Sequence, residues 1–332
     1  MRNTEQNRSA SNPQISCVIP AYNEARNLPI VLVEIWQQLK SMTDRFEIIV
    51  VNDGSLDDSH AVAVAMASSY PEIVVVDLSR NFGKEAAMVA GLEIARGEAV
   101  IMMDADGQHP VTLLPSMLNH WQNGLDVVYA VRKSRTDQSQ LHATLTGWFY
   151  SIVNWGNRVK IPRNAGDFRW MDKRVVDVLV SLPERNRFMK GLYAWVGFPS
   201  LALEYEPLQR QQGKSNFGFK GAFGLAMTGM LAFSTVPLRL LTLSGIVLSM
   251  ASMFYALWVL VEYFFWGINV PGYATLVVSI MFFSGVQLLA LGIMSEYVGR
   301  IYEEVKHRPL YVVRKRTGHG LQQVSGNDEK KC

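Results

Sequence analysis

At 332 residues the chain has room for one head domain of some 230 residues and a smaller second unit. Its formal charge of +3, without basic residues concentrated on one helix, excludes a nucleic-acid binder that works by neutralising phosphates. Two cysteines, Cys17 and Cys332, exclude a disulfide framework and fit a reducing compartment.

The first 14 residues are polar, lack the apolar core of a signal peptide and read as a disordered leader. An apolar strand then runs from Ile15 and stops at Pro20-Ala-Tyr-Asn-Glu24. The apolar spacing of Leu28 to Lys40 predicts an amphipathic helix, and Phe46 to Val51 a second strand that ends in Asn52-Asp53-Gly54-Ser55. An Ala/Val/Met-rich helix is expected over about 59–69, a strand over Ile73 to Leu78, and a helix from about Lys84 to Ala95. The next apolar run, Ala99-Val-Ile-Met-Met, leads into Asp104-Ala-Asp106-Gly-Gln-His-Pro110. Strands alternating with helices indicate a mostly parallel sheet, and such sheets bind ligands outside the carboxyl ends of their strands. Two carboxylates spaced i, i+2 at such an end can share one hard cation that keeps positions open for phosphates. Asp-x-Asp alone is equally a solvated loop, but here three polar strand ends converge on one edge. The six histidines lack zinc spacing, and His109 reads as a turn residue.

Between Arg132 and Pro237 the chain carries basic clusters and aromatic residues. Arg132-Lys-Ser-Arg135 follows the strand Asp126-Val-Val-Tyr-Ala. Leu141 to Val159, with Trp148, Phe149, Tyr150 and Trp155, reads equally as an interfacial helix or as ordinary packing. Basic clusters follow at Gly166-Asp167-Phe-Arg169, Pro183-Glu-Arg-Asn-Arg187-Phe-Met-Lys190 and Arg210-Gln-Gln-Gly-Lys214. Then come two long apolar stretches, Leu240 to Phe265 (one ionised group, Glu262) and Ala274 to Met294 (none). Each can cross a hydrocarbon core of about 30 Å, which takes roughly 20 helical residues. The connection between them has no Lys or Arg, whereas Arg239 precedes the first and Arg300, Lys306, Arg308, Arg314, Lys315 and Arg316 follow the second. That bias predicts a hairpin with both termini in the cytoplasm. The expected division is a leader (1–14), a head (15–235), two transmembrane helices within 236–298 (about 240–265 and 274–295) and a basic cytoplasmic tail (299–332).

Pro20-Ala-Tyr-Asn-Glu24, Asn52-Asp53-Gly54-Ser55 and Asp104-Ala-Asp106 together resemble the donor motifs of family 2 nucleotide-sugar glycosyltransferases. No Gly-x-Gly-x-x-Gly follows the first strand, which separates the chain from dinucleotide-binding dehydrogenases. The resemblance implies the α/β, Rossmann-like GT-A fold and a donor site of Pro20, Tyr22, Glu24, Asp53, Lys84, Asp104, Ala105 and Asp106. It further implies Mg²⁺ or Mn²⁺ on Asp104 and Asp106, with Gln108 as an additional ligand. Arg80-Asn-Phe-Gly-Lys-Glu85, Gly166 to Arg169, Pro183 to Gly191 and Ser295 to Tyr302 narrow the likeness to polyprenyl-phosphate glycosyltransferases. Among these they are most similar to the bactoprenol glucosyltransferases of O-antigen modification, with dolichol-phosphate mannose synthases more distant. Processive polysaccharide synthases carry Gln-x-x-Arg-Trp, where this chain has Gly166 before Arg169-Trp170.

What the family implies is inverting transfer of a sugar, glucose first, from a UDP-sugar to undecaprenyl phosphate at the cytoplasmic membrane face by a homo-oligomer. Arg132, Arg169 and Arg210 would clamp the lipid phosphate. Asp167 is the family-style base, or else simply the partner of Arg169. Alternatives are another donor (UDP-aminoarabinose, a UDP-N-acetylhexosamine or GDP-mannose), a membrane-tethered transferase with a non-lipid acceptor, and a scaffold with a dead head, which the intact donor motifs disfavour.

Overall fold

A computed structural model describes residues 12–133, 165–185, 187–206, 236–266 and 272–321. Its first half alternates as the apolar spacing requires: β1 (Ile15–Ala21), α1 (Leu28–Met42), β2 (Phe46–Asn52), α2 (Ser59–Ser69), β3 (Ile73–Leu78), α3 (Lys84–Ile94) and β4 (Ala99–Met102). Then follow α4 (Leu114–Gln122), β5 (Val127–Arg132), β6 (Ala165–Asp172), α5 (Lys173–Ser181), α6 (Met189–Trp195) and β7 (Ser200–Tyr205). Two long helices, α7 (Val236–Trp266) and α8 (Tyr273–Val305), precede a last strand, β8 (Val313–Thr317).

The strands form one sheet in the order β7-β5-β6-β4-β1-β2-β3-β8. Neighbours are parallel except where β6 joins β4 and β5, and where β8 joins β3. Every residue of β1, β2 and β3 is buried, because helices cover both faces and leave no polar side to alternate. On one face Cys17, Ile19, Ile48 and Val50 meet Leu28, Leu32 and Ile35 of α1. On the other, Val18, Ile49 and Val51 meet Met88 and Leu92 of α3, in a layer shared with Val175, Val176 and Leu179 of α5. Each such side chain contributes about 1.5–3 kcal/mol by leaving water, so the strand ends project from a stiff platform.

The start of α5 is fixed by Asp172, whose side chain accepts from the Arg174 N–H at 3.0 Å. Past its far end, the buried guanidinium of Arg187 donates to the carbonyls of Leu179, Val180, Leu182 and Glu184, the orphan acceptors a helix end leaves. Arg187, in one of the basic clusters read from the sequence, is therefore a helix-end clasp.

Val278–Val305 of α8 is long and apolar enough to cross a membrane by length and composition, whereas the apolar stretch picked out in α7, Leu241–Tyr255, is shorter. The expected interfacial helix at Leu141 to Val159 lies outside the described residues. The segment read as a basic tail differs from expectation, because part of it is a strand of the head. β8 lies antiparallel on β3, pairing Val75 with Thr317, Val76 with Arg316 and Asp77 with Lys315, and the Ser79 N–H donates to the Val312 carbonyl at 2.9 Å. The chain then turns at Gly318 (φ +94°), where a Cβ would strike the Ile73 carbonyl. The Leu321 N–H finally donates to Glu47 at 3.1 Å. A basic strand suits an outer edge, since its charges discourage further strand addition. β7 and β8 belong to the same sheet, so the chain between them must cross any bilayer an even number of times.

Candidate active site at the carboxyl edge of the sheet

Parallel register brings the first two polar strand ends level, with Ala21 opposite Asn52. Pro20 lies beyond the last β1–β4 pair, Val18 with Met102, so its missing N–H costs no ladder bond on that side. The loops after β1 and β2 are laced together. The Asn23 N–H donates to Ser55 Oγ (3.0 Å), the Glu24 N–H to Ser59 Oγ (2.7 Å) and the Leu56 N–H to Asn23 Oδ1 (2.8 Å). Glu24 Oε2 accepts from Asn27 Nδ2 at 2.6 Å, while the Tyr22 ring is exposed at the rim. Asp53 is buried, and its two oxygens accept from the N–H groups of Phe82 (2.7 Å) and Gly83 (3.0 Å). Burial pushes its carboxyl up, and those two donors work against the shift. Gly54 (φ +63°) presses against the Arg80 backbone where a Cβ would collide. Asp53 thus ties that loop to the start of α3.

β6 runs antiparallel to β4 and pairs Met102 with Arg169, so continuing the register sets Asp167 level with Asp104. Lys84, in the first turn of α3, joins them: its ammonium lies 2.7 Å from Asp104 Oδ1 and 2.6 Å from Asp167 Oδ2. Burial works to lower its pKa, but Asp167 and Asp104 outweigh it and hold the lysine charged. Burial likewise works to raise the Asp167 pKa, yet Lys84 and Lys190 keep that carboxyl well below the usual carboxylate range. Its Oδ1 is buried and has no hydrogen-bond partner among the described residues.

Glu85 accepts the Met189 N–H at 3.0 Å and thereby ties α6 to α3. Burial, with Asp167 adding, pushes its carboxyl up from 4.5 to about 7. The folded chain binds this proton more tightly than the unfolded one, so stability falls as pH rises from about 4.5 to 7 and the full penalty persists above. Glu85→Gln should therefore be more stable than wild type at pH 8, by up to about 3 kcal/mol, with the gain fading toward pH 5. Thermal melts across that range check it; a gain independent of pH would assign the effect elsewhere.

Of the three acceptor arginines, Arg132 and Arg169 fall within the described residues, and their settings differ. Arg132, at the end of β5, donates to Gln108 Oε1 (3.1 Å) and to Tyr205 Oη (3.3 Å), so it stands at the site mouth. The Gln108 amide oxygen, implied as a metal ligand, thus accepts one hydrogen bond from Arg132 and keeps a second lone pair. Arg169 is only 4% exposed; its guanidinium stacks 3.4 Å from the Tyr193 ring centroid and donates to the Gly166 carbonyl at 2.8 Å. That geometry buries Arg169 in the wall beside Tyr193. Arg210 lies outside the described residues. His109 is buried against Phe168, and its Nδ1 accepts the Asp104 N–H at 3.2 Å, which steadies the turn that carries both aspartates.

Residues 16–179 match the model of glycosyl transferase family 2. An uncharacterized glycosyltransferase from Synechocystis sp. is 42% identical over 90% of this chain and 94% of its own. A bactoprenol glucosyl transferase derived from the SfII prophage in Shigella flexneri is 41% identical over 91% of this chain and 98% of its own. The chain belongs to glycosyl transferase family 2. Among solved structures, a mannosyltransferase from Pyrobaculum calidifontis in complex with GDP-Man and Mn²⁺ aligns over 89% of this chain and 88% of that one. Its identity of 14% and TM-score of 0.45 make it a distant likeness.

As a glycosyltransferase with a GT-A-like, mostly parallel sheet, the enzyme gathers carboxylates, one lysine and Arg132 at a single edge. Among the described residues no cluster of three or more His, Cys, Asp or Glu could cage a metal. Two carboxylates in one turn instead fit a cation such as Mg²⁺, which binds through one or two carboxylates and completes its shell with water and phosphates. The Asp106 side chain already accepts the Gln108 N–H at 3.1 Å, which fixes its direction in the turn. Sequence reading of the transferase missed Glu85 as an anchor of α6. The only available signal was a Lys-Glu pair directly after a glycine at a helix start.

Proposed function

We propose that this transferase moves a glucosyl group from UDP-glucose to undecaprenyl phosphate with inversion at the anomeric carbon. The observation that carries the reading is Lys84 bridging Asp104 and Asp167, which joins the donor motif to the acceptor segment in one charged cluster. The bactoprenol glucosyl transferases similar to this chain over 91% of its length support the lipid acceptor and the sugar. A phosphate oxygen of the lipid attacks the anomeric carbon in line, and the bond to the UDP oxygen breaks on the opposite side. A divalent metal bound by Asp104 and Asp106 would supply neutralisation of charge on the departing diphosphate. Lys84 adds a fixed positive charge beside it, and Tyr22, Glu24 and Asp53 line the nucleoside end, with Pro20 and Ala105 shaping the backbone between. Positioning by such groups can supply about 7–11 kcal/mol of barrier reduction in favourable cases.

A phosphate monoester, with a second pKa of about 6, arrives mostly ionised, so no strong base is needed. Asp167, held ionised by Lys84 and Lys190, is a poor proton acceptor and better suited to orienting Lys84. That favours the orienting role over the base.

We infer further that α7 and α8 form a two-span hairpin. α8 meets the length criterion, and the shared sheet of β7 and β8 supports a second crossing by α7 if α8 spans. The positive-inside bias then sets the head and β8 on the cytoplasmic side. Purified enzyme given undecaprenyl phosphate should release UDP and form a lipid-linked hexose from UDP-glucose. UDP-N-acetylglucosamine, UDP-aminoarabinose and GDP-mannose should serve poorly. Transfer to free sugars or peptides without lipid phosphate would overturn the acceptor assignment; preference for another donor would overturn the sugar alone.

A further inference from the structure

We propose that Arg314, on the strand beyond the apolar helices, is a positioning residue for the donor nucleotide. The inference rests on the reading of the loops after β1 and β2 as the nucleoside pocket. Asp77, at the end of β3, is 1% exposed, and three groups converge on it. Arg314 Nε donates to Oδ2 at 2.6 Å, Asn52 Nδ2 donates to Oδ1 at 2.6 Å, and His60 Nδ1 lies 3.4 Å from Oδ1. Asn52 opens the Asn52-Asp53-Gly54-Ser55 motif. With its amide nitrogen committed to Asp77, its oxygen faces the Ser55 N–H at 3.3 Å. Ser55 Oγ in turn accepts from the Asn23 N–H, and Asn23 (φ +56°) accepts from the Leu56 N–H. An unbroken set of hydrogen bonds therefore runs from β8 to both donor loops.

The Asp77–Arg314 pair differs from an ordinary surface salt bridge, which contributes little. The Arg314 side chain is 63% exposed but its partner is almost wholly out of water. Removing the guanidinium would leave a buried carboxylate without its cation, the expensive way to break such a pair. The Asp77 carboxylate would then turn toward water, and Asn52 would lose the fixed acceptor that orients its amide. The strand itself would remain, because its pairing to β3 is made by backbone groups. Arg132 and Asp167 lie on β5 and β6, on the far side of β4 and β1, so the lipid side should not feel the change.

The test uses the full chain in detergent micelles, with UDP and Mn²⁺ titrated by calorimetry and kinetics run against undecaprenyl phosphate. Arg314→Met should raise the Kd for UDP and the KM for the nucleotide sugar about tenfold, while the lipid KM stays unchanged. Arg314→Lys should restore most of that affinity, and Lys315→Met on the same strand should leave it unaltered. If Arg314→Met folds poorly, the pair Asp77→Asn with Arg314→Met decides. A neutral amide oxygen still accepts from Asn52 and needs no cation, so UDP affinity should return. Unchanged UDP affinity in Arg314→Met, an equal loss in Lys315→Met, or no recovery in the double variant would overturn the inference. If the wild-type enzyme transfers sugar yet binds no UDP, the donor-pocket reading falls and carries the inference down with it. If wild type binds UDP and Arg314→Met binds it equally, the inference alone falls.

Discussion

Asp104→Ala should lower kcat about a hundred- to ten-thousandfold, because charge stabilisation at the leaving diphosphate amounts to several kcal/mol and each 1.36 kcal/mol is tenfold in rate. The loss has two physical sources. One is a missing carboxylate for the divalent cation; the other is Lys84, whose ammonium would keep Asp167 as its only carboxylate partner at 2.6 Å. Asp106→Ala should fall in the same range, since it removes the other member of the pair and frees the Gln108 N–H that its carboxylate holds. Wild-type enzyme stripped with EDTA should lose turnover to a similar degree and regain it on addition of Mn²⁺ or Mg²⁺. Full turnover in EDTA, or in Asp104→Ala with saturating substrates, would falsify the placement of the metal and the diphosphate at this turn.

Arg132 carries the second large expectation. It stands between two roles, bonded to Gln108 of the aspartate turn on one side and to Tyr205 on the other. A guanidinium gives a phosphate two parallel hydrogen bonds, whereas lysine offers a point charge, so Arg132→Lys is no conservative change. Hydrogen bonds to charged groups contribute about 1.5–3 kcal/mol, roughly ten- to over a hundredfold in affinity. Arg132→Ala and Arg132→Lys should raise the KM for undecaprenyl phosphate by that factor and leave UDP binding nearly as in wild type. Calorimetry with UDP and kinetics with the lipid report the two separately. Weakened UDP binding with an intact lipid KM would move Arg132 to the donor side.

The donor half of the head was legible because its signals are local. β1 to β4 are apolar runs buried on both faces, and each ends in polar residues that must gather where parallel strands finish. The acceptor half was not, because its positions depend on partners remote in the chain. Ala165–Asp172 mixes Asp167, Arg169 and Trp170 without clean alternation and reads as a loop until β4 and β5 take it as an antiparallel neighbour. The settings of the arginines were illegible for a related reason. Charge alone does not distinguish a guanidinium open to an anion from one that caps carbonyls, as Arg187 does, or stacks on a tyrosine, as Arg169 does. β8 was hidden most deeply: Val-Arg-Lys-Arg-Thr has one apolar residue, and only the vacant edge of β3 makes it a strand.

That last strand sets an order of assembly. Asp77 and Arg314 are 237 residues apart, so during synthesis the β3 edge waits while both long apolar helices are made. An uncovered strand such as Ile73–Leu78, apolar except for Asp77, invites pairing with other chains during that interval. Closing the sheet so late also adds contacts of extreme sequence separation, which slow folding. The nascent head should therefore be most vulnerable to aggregation and proteolysis until the apolar helices have been inserted. A ribosome release point that falls before residue 313 would leave it permanently in that state.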